Sequence, residues 1–384
     1  MKRMISILFL ILCIFLGSCS NQEEQVSTNS TDDGMWENKT DVLKTEAEET
    51  QTKSKDEEKK TEASQTEEND KEASDPSFKT EEAGSEVIVN KENDKETAAY
   101  ISGRLSELQS KWNPLNDNGE IAKLNNTRSG THLSEETLEL IKSCISLSQK
   151  NNGLIDITLY PLTRIWGFES NEPKVPQEIL TSLLFSKCGM DTFSVSEGKV
   201  NLDKFTMLDV SAFSNGYSCD LIAKELAEKG CKQAIIDAGD HVRTVGDEDS
   251  GLWQVSLPDP EDGDGTFATL LVKGGYSVSS KGAFRRYFEE NGKRYCDIFD
   301  PRNGKPVDND LASVTVICKN GISADAYAYS CFVLGSEGAE KFYRENVEVD
   351  IILVMKNGEI RASEGVADAI TLQDKDKEIK VIKK

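Results

Sequence analysis

Histidine is nearly missing from this sequence: His132 and His241 are the only two in 384 residues. That speaks against a histidine-rich metal centre and against a Ser-His-Asp hydrolase. No C-x-x-C pair occurs among the 9 cysteines, and beyond Cys19 their number is odd, which argues against a zinc ribbon and a disulfide framework. Most of them sit in apolar runs and read as small buried hydrophobes. No apolar run reaches the ~20 residues of a membrane-spanning helix. No basic stripe is visible: 45 Lys and Arg face 68 Asp and Glu, for a net charge of −23, so nucleic acid is not an expected partner. A Gly-rich phosphate loop after a strand is also absent, as is any internal repeat, so Rossmann and P-loop folds do not fit.

What is present begins with a leader. Lys2 and Arg3 precede an apolar run from Met4 to Leu16, which ends in Leu16-Gly17-Ser18-Cys19. The run is too short to span and reads as an export signal over residues 1–18. Its end resembles a bacterial lipobox, which implies a lipidated Cys19 as the mature N-terminus and a lipid anchor on the extracytoplasmic face of the cell membrane. An ordinary signal peptide with an incidental cysteine is the alternative. Residues 19–86 follow as an acidic tether; from Ser20 to Glu86 there are 21 acids, 8 bases and hardly an apolar side chain. Such a stretch cannot bury enough surface to offset its ordering entropy, so disorder is expected.

Residues 87–384 have the composition of a globular domain. Helical spacing recurs in "AAYISGRLSELQSKWNPL", "LSEETLELIKSCISLSQKNNG" and "SNGYSCDLIAKELAEKG"; Ser134 is the expected N-cap of the second, and Gly153 and Gly230 close the last two. Strands fit "KQAIIDAG", "WQVSLP", "FATLLVKG", "LASVTVIC" and "VDIILVMKNGEI", the last with a turn at Asn357-Gly358. Helices and strands mix without regular alternation, which predicts an α+β domain. Within "GISADAYAYSCFVLG", Asp325 lies in an apolar helix with no basic residue within four positions on either side. It is either an anion at a helix N-terminus or a cation ligand.

Several stretches, in order, resemble the signatures of bacterial FAD:protein FMN transferases, the ApbE family. "NNGLIDITLYPLTRIWGF" is similar to GAFDxTvgPLvxLWGF, "LDVSAFSNGYSCDLIAKEL" to the helix start DLSTVGEGYAAD, and "AIIDAGDHVRTVG" to vNLGGDIRaiG. "SVSSKGAFRRYFEENGKRYCDIFDPRNGKPV" is similar to aTSGdYeryfexdGkryxHIiDPrTGxPv, and "SADAYAYSCFVLG" to eADALaTalfvLG. The resemblance implies a single α+β domain of mixed sheets flanked by helices, with FAD in a cleft between its halves. It implies transfer of FMN from FAD onto a Thr or Ser of an exported flavoprotein acceptor, with release of AMP. It further implies magnesium held by Asp325, Tyr329 and the backbone carbonyl of Ala212, and nucleotide contacts from Leu154, Ile155, Asp156, Asp209, Asn215 and Phe299.

The sequence departs from the family pattern around the chemistry. Asp297 stands where the family has His and is the candidate base; Tyr329 replaces Thr, and Asn215 precedes Gly216-Tyr217. Asp240 and His241 replace the Gly-Asp of the GGD turn, and Lys281 replaces the Ser of TSG. Three readings remain at this point: a working transferase, a non-catalytic flavin-binding lipoprotein, and a flavin-free interaction module on the same fold.

Overall fold

The computed structural model describes residues 78–82, 85–89, 94–128, 131–170, 172–261, 263 and 265–384. The leader, Cys19 and the tether as far as residue 77 lie outside them. Nine strands make the central sheet: β1 (Phe78–Glu82), β2 (Ser85–Val89), β3 (Ala234–Asp237), β4 (His241–Val245), β5 (Ser277–Gly282), β6 (Leu311–Cys318), β7 (Asp350–Met355), β8 (Ile360–Ser363) and β9 (Ile379–Ile382). Their spatial order follows the chain. Every neighbouring pair is antiparallel except β8 with β9. The boundary expected at Val87 therefore moves: β1 and β2 precede or straddle it, and β2 pairs with β3. The polar "FKTEE" of β1 carries no alternation that composition could reveal.

The apolar run "LASVTVIC" is explained by a sheet covered on both faces. Side chains alternate across a strand. Accordingly Val314, Val316 and Cys318 of β6 and Ile351, Leu353 and Met355 of β7 join the core beneath the helices, whereas Ile317 and Ile352 join a second core. That second core is closed by a three-stranded sheet of Leu252–Pro258, Thr266–Lys273 and Ile370–Leu372, through Trp253, Val255 and Leu257. The α+β expectation holds, with mixed sheets and flanking helices.

Helices α1 (Asp94–Trp112), α2 (Glu120–Thr127), α3 (Glu135–Lys150), α4 (Tyr160–Trp166), α5 (Glu178–Phe185), α6 (Ser211–Glu228) and α7 (Gly321–Glu345) complete the fold. Ser134 caps α3 as expected, accepting from the Thr137 N–H. Helix α7 is buried on nearly every side as far as Gly335, whose φ of 75° breaks it. All seven described cysteines are free thiols, and all but Cys188 are buried.

Two glycines bring α6 against α7. A Cβ at Gly216 would come within 2.3 Å of the Gly321 carbonyl oxygen and 2.7 Å of an Asp325 carboxylate oxygen. Backbone cannot yield as a flexible side chain can, so Gly216→Ala should cost at least about 1–3 kcal/mol. Chemical denaturation of wild type and variant measures it; equal midpoints would show that the contact is not tight.

Candidate active site

Strand pairing assembles the polar centre. On β5, Ser277, Ser279 and Lys281 share one face, and the register sets Ser279 opposite His241 and Ser277 opposite Arg243. Helix α7 lies over this face, and Asp325, fully buried, points into it. The carboxylate accepts from the Gly216 N–H (2.8 Å), His241 Nδ1 (2.9 Å) and Ser279 Oγ (2.6 Å), with Lys281 Nζ 3.7 Å away. Burial alone would raise the pKa of Asp325; Lys281, His241 and Ser279 outweigh it and hold the group at about 2. The cap alternative falls as well, because Asn320 caps α7 by accepting from the Ser323 N–H.

Lys281 also pairs with Asp240, whose other oxygen accepts from Asn215 Nδ2 at 2.8 Å. Burial would lower the Lys281 pKa, but Asp240 and Asp325 together raise it, so the amine stays an ammonium. His241 Nε2 faces Ser277 Oγ at 3.1 Å.

A cavity of about 600 Å³ opens beside this network, between α6, the start of α4 and the end of β5. That is within the range of small-molecule and cofactor sites. Its walls include Asp156, Asp209, Ala212, Asn215, Asp240, Lys281, Asp297, Phe299 and Tyr329. Leu154 and Ile155 do not line it. They lie in the hydrophobic core, and Ile157 takes the wall position instead, because the chain turns inward two residues before Asp156 releases it to the pocket. Asp156 accepts from both the N–H (2.8 Å) and the hydroxyl of Thr158, and burial raises its pKa against those bonds. Asp209 holds the Ser211 N–H at 2.8 Å just before α6. Half-buried Asp297 is lifted to about 6 by burial, against the pull of Arg286 (3.5 Å) and Lys281.

The residues present do not fit the divalent cation that the resemblance implies. Magnesium takes few protein ligands, usually one or two carboxylates beside phosphate oxygens and water, so the state of those carboxylates decides the fit. Asp325 already accepts three hydrogen bonds from protein donors and has the Lys281 ammonium 3.7 Å away, where it would repel a second cation. The Tyr329 hydroxyl donates to the Phe299 carbonyl (2.7 Å) and accepts from its N–H (3.2 Å), and burial raises its pKa further. Ala212 lies on the cavity wall with neither of them free to complete a shell. Among the described residues no group of three or more His, Cys, Asp or Glu is placed to hold a metal.

Among the lining residues that sequence reasoning passed over are two arginines, a tyrosine and a glutamate. Arg285, which donates to the Gly239 carbonyl (2.9 Å), and Arg286 bring positive charge to the wall. Tyr160 donates to Glu169 (3.0 Å), whose pKa burial and Asp209 raise. The Arg285-Arg286 doublet, separated from the end of β5 by two residues, was the available signal. A larger groove of about 990 Å³, lined by residues such as Lys224, Lys232 and Asp247, contains none of the candidate site residues.

Residues 83–353 match the ApbE family. Among similar proteins, a FAD:protein FMN transferase of Klebsiella pneumoniae is 30% identical over 295 residues, spanning 74% of this chain and 90% of that protein. The FAD:protein FMN transferase of Vibrio cholerae is 25% identical over 270 residues, spanning 69% and 80%. Among solved structures, the ApbE protein of Thermotoga maritima superposes with a TM-score of 0.66 at 24% identity, over 75% of this chain and 96% of that one. The flavinyl transferase ApbE of Pseudomonas stutzeri gives 0.63 at 23%, over 74% and 92%.

Proposed function

Because the chain belongs to the ApbE family, we propose that it is a FAD:protein FMN transferase. The observation that carries this is one cavity wall where a carboxylate with its pKa raised to about 6, Asp297, stands beside the cations of Lys281, Arg285 and Arg286. Phosphoryl transfer is served by such a set: cations where negative charge develops, and a base for the incoming hydroxyl. Asp297 takes the proton of an acceptor Thr or Ser. The freed oxygen bonds to the phosphorus on the riboflavin side of FAD, and the bond from that phosphorus to the bridging oxygen breaks, its electron pair leaving with AMP. Lys281 and the two arginines hold the diphosphate; Asp209 and Asn215 offer hydrogen-bond partners to the nucleotide. Magnesium, the finer expectation from the resemblance, finds no shell in these residues, and no step here passes through it. The acceptor is an exported flavoprotein, and the enzyme works on the extracytoplasmic face, tethered through lipid on Cys19; the leader sequence supports this location.

The test is incubation of the purified protein with FAD and a Thr-containing acceptor peptide, read by mass spectrometry. The peptide should gain one FMN group as AMP appears. An unmodified peptide in the presence of bound FAD would leave a flavin-binding protein without transfer, and overturn the reading.

A further inference from the structure

We propose that the ammonium of Lys281 is the resident cation of this pocket, so that a nucleoside diphosphate binds here without a divalent metal. The inference rests on the transferase reading for the identity of the diphosphate and on the contacts of this chain for the rest.

Lys281 is held where a bound cation would have to be. Its ammonium lies between the carboxylates of Asp240 and Asp325, and its side chain is 8% exposed, that remainder facing the cavity. One of its three protons bonds Asp240, Asp325 attracts it from 3.7 Å without a hydrogen bond, and a proton is left for a phosphate oxygen. Asn215 fixes Asp240, while Gly216, His241 and Ser279 fix Asp325, so the charge has a defined place.

The departures from the family pattern support the same conclusion. Asn215, Asp240, His241 and Lys281 all differ from the motifs, and the strand register and the α6–α7 contact make them one connected network. Asp240 introduced without Lys281 would add a second carboxylate near Asp325 with no cation between them. Together they close on Asp325. Four unrelated losses have no reason to join in one chain of contacts that ends on Asp325; a replacement of one cation by another does.

The test compares FAD affinity, by flavin fluorescence, for wild type, Lys281→Met and Lys281→Arg, each in excess EDTA and in millimolar magnesium. Wild type should bind equally in both media. Lys281→Met should weaken by about tenfold or more in EDTA, the scale of losing a charge-assisted hydrogen bond, and magnesium should restore it, because the two carboxylates then face a cation position that no ammonium fills. Lys281→Arg should remain indifferent to magnesium. Magnesium tightening wild type as much as Lys281→Met, or no loss in Lys281→Met, overturns the proposal. Should Lys281→Met not fold, the wild-type comparison decides alone. If FAD binds under no condition, the transferase reading fails, and calorimetric titration with magnesium alone still decides the cation: heat with wild type overturns the proposal, and heat with Lys281→Met only sustains it.

Discussion

Replacing Asp325 by asparagine should cost about 3–5 kcal/mol of folding stability, whether or not magnesium is present; that is the scale of breaking a buried ion pair by removing one partner. The carboxylate, fully buried, faces an ammonium, an imidazole N–H, a hydroxyl and a backbone N–H at once. An amide of the same shape keeps the volume but turns two protons toward these donors and leaves Lys281 with Asp240 alone. A helix cap would have cost only about 1 kcal/mol. The pH dependence gives a second signature. The folded pKa of Asp325 lies below its unfolded value, so its contribution is complete above about pH 4 and is lost as pH falls toward about 2. Urea titrations should show wild type losing stability through that window and Asp325→Asn lacking this component. A variant as stable as wild type at neutral pH would show that the network is not worth what its geometry implies.

Asp297→Asn should slow transfer by about 10²–10⁴-fold, the usual contribution of a placed general base, with FAD still bound. In wild type the single-turnover rate should climb with pH to a plateau above about 6, where the carboxylate is ionised. The variant should lack that limb. Stability should move the opposite way from rate. Because the folded pKa of Asp297 is raised, its favourable contribution is present at low pH and is lost as pH rises through about 6. At neutral pH, therefore, Asp297→Asn should be no less stable than wild type. A variant retaining both the rate and the acidic limb would remove Asp297 from the chemistry.

Much of the architecture could be read from periodicity. The Ser134 cap, the Asn357-Gly358 turn and the strands around Val314 and Ile352 each carry a local signature that tertiary packing did not override. Asp325 was conspicuous for the right reason, a carboxylate without a local partner, but its partners are not local. His241 lies 84 residues away in the chain and reaches it through strand register alone. Strand β5 was hidden for a related reason. "SVSSKG" has a loop's composition, and only burial of all six residues between two sheet neighbours and a helix makes it a strand. The motif resemblance located Lys281 and Asp240 as oddities; their mutual contact required three dimensions. Leu154 and Ile155 show the converse, since apolar residues in a ligand-binding motif are indistinguishable by type from core.

The free cysteines give the fold an all-or-nothing chemical character. Burial pushes the thiols of Cys144, Cys188, Cys219, Cys296, Cys318 and Cys331 above their ordinary pKa, Cys296 and Cys318 to about 12, so that these six are not nucleophilic while the domain is closed. One complete opening releases all seven described thiols together. In an oxidising medium the odd-numbered, unpaired set then has no native disulfide to return to, and any bond that forms is a wrong one. The survival of each molecule there is set by how rarely it opens, so that unfolding rate, and not the depth of the free-energy well, becomes the quantity under selection.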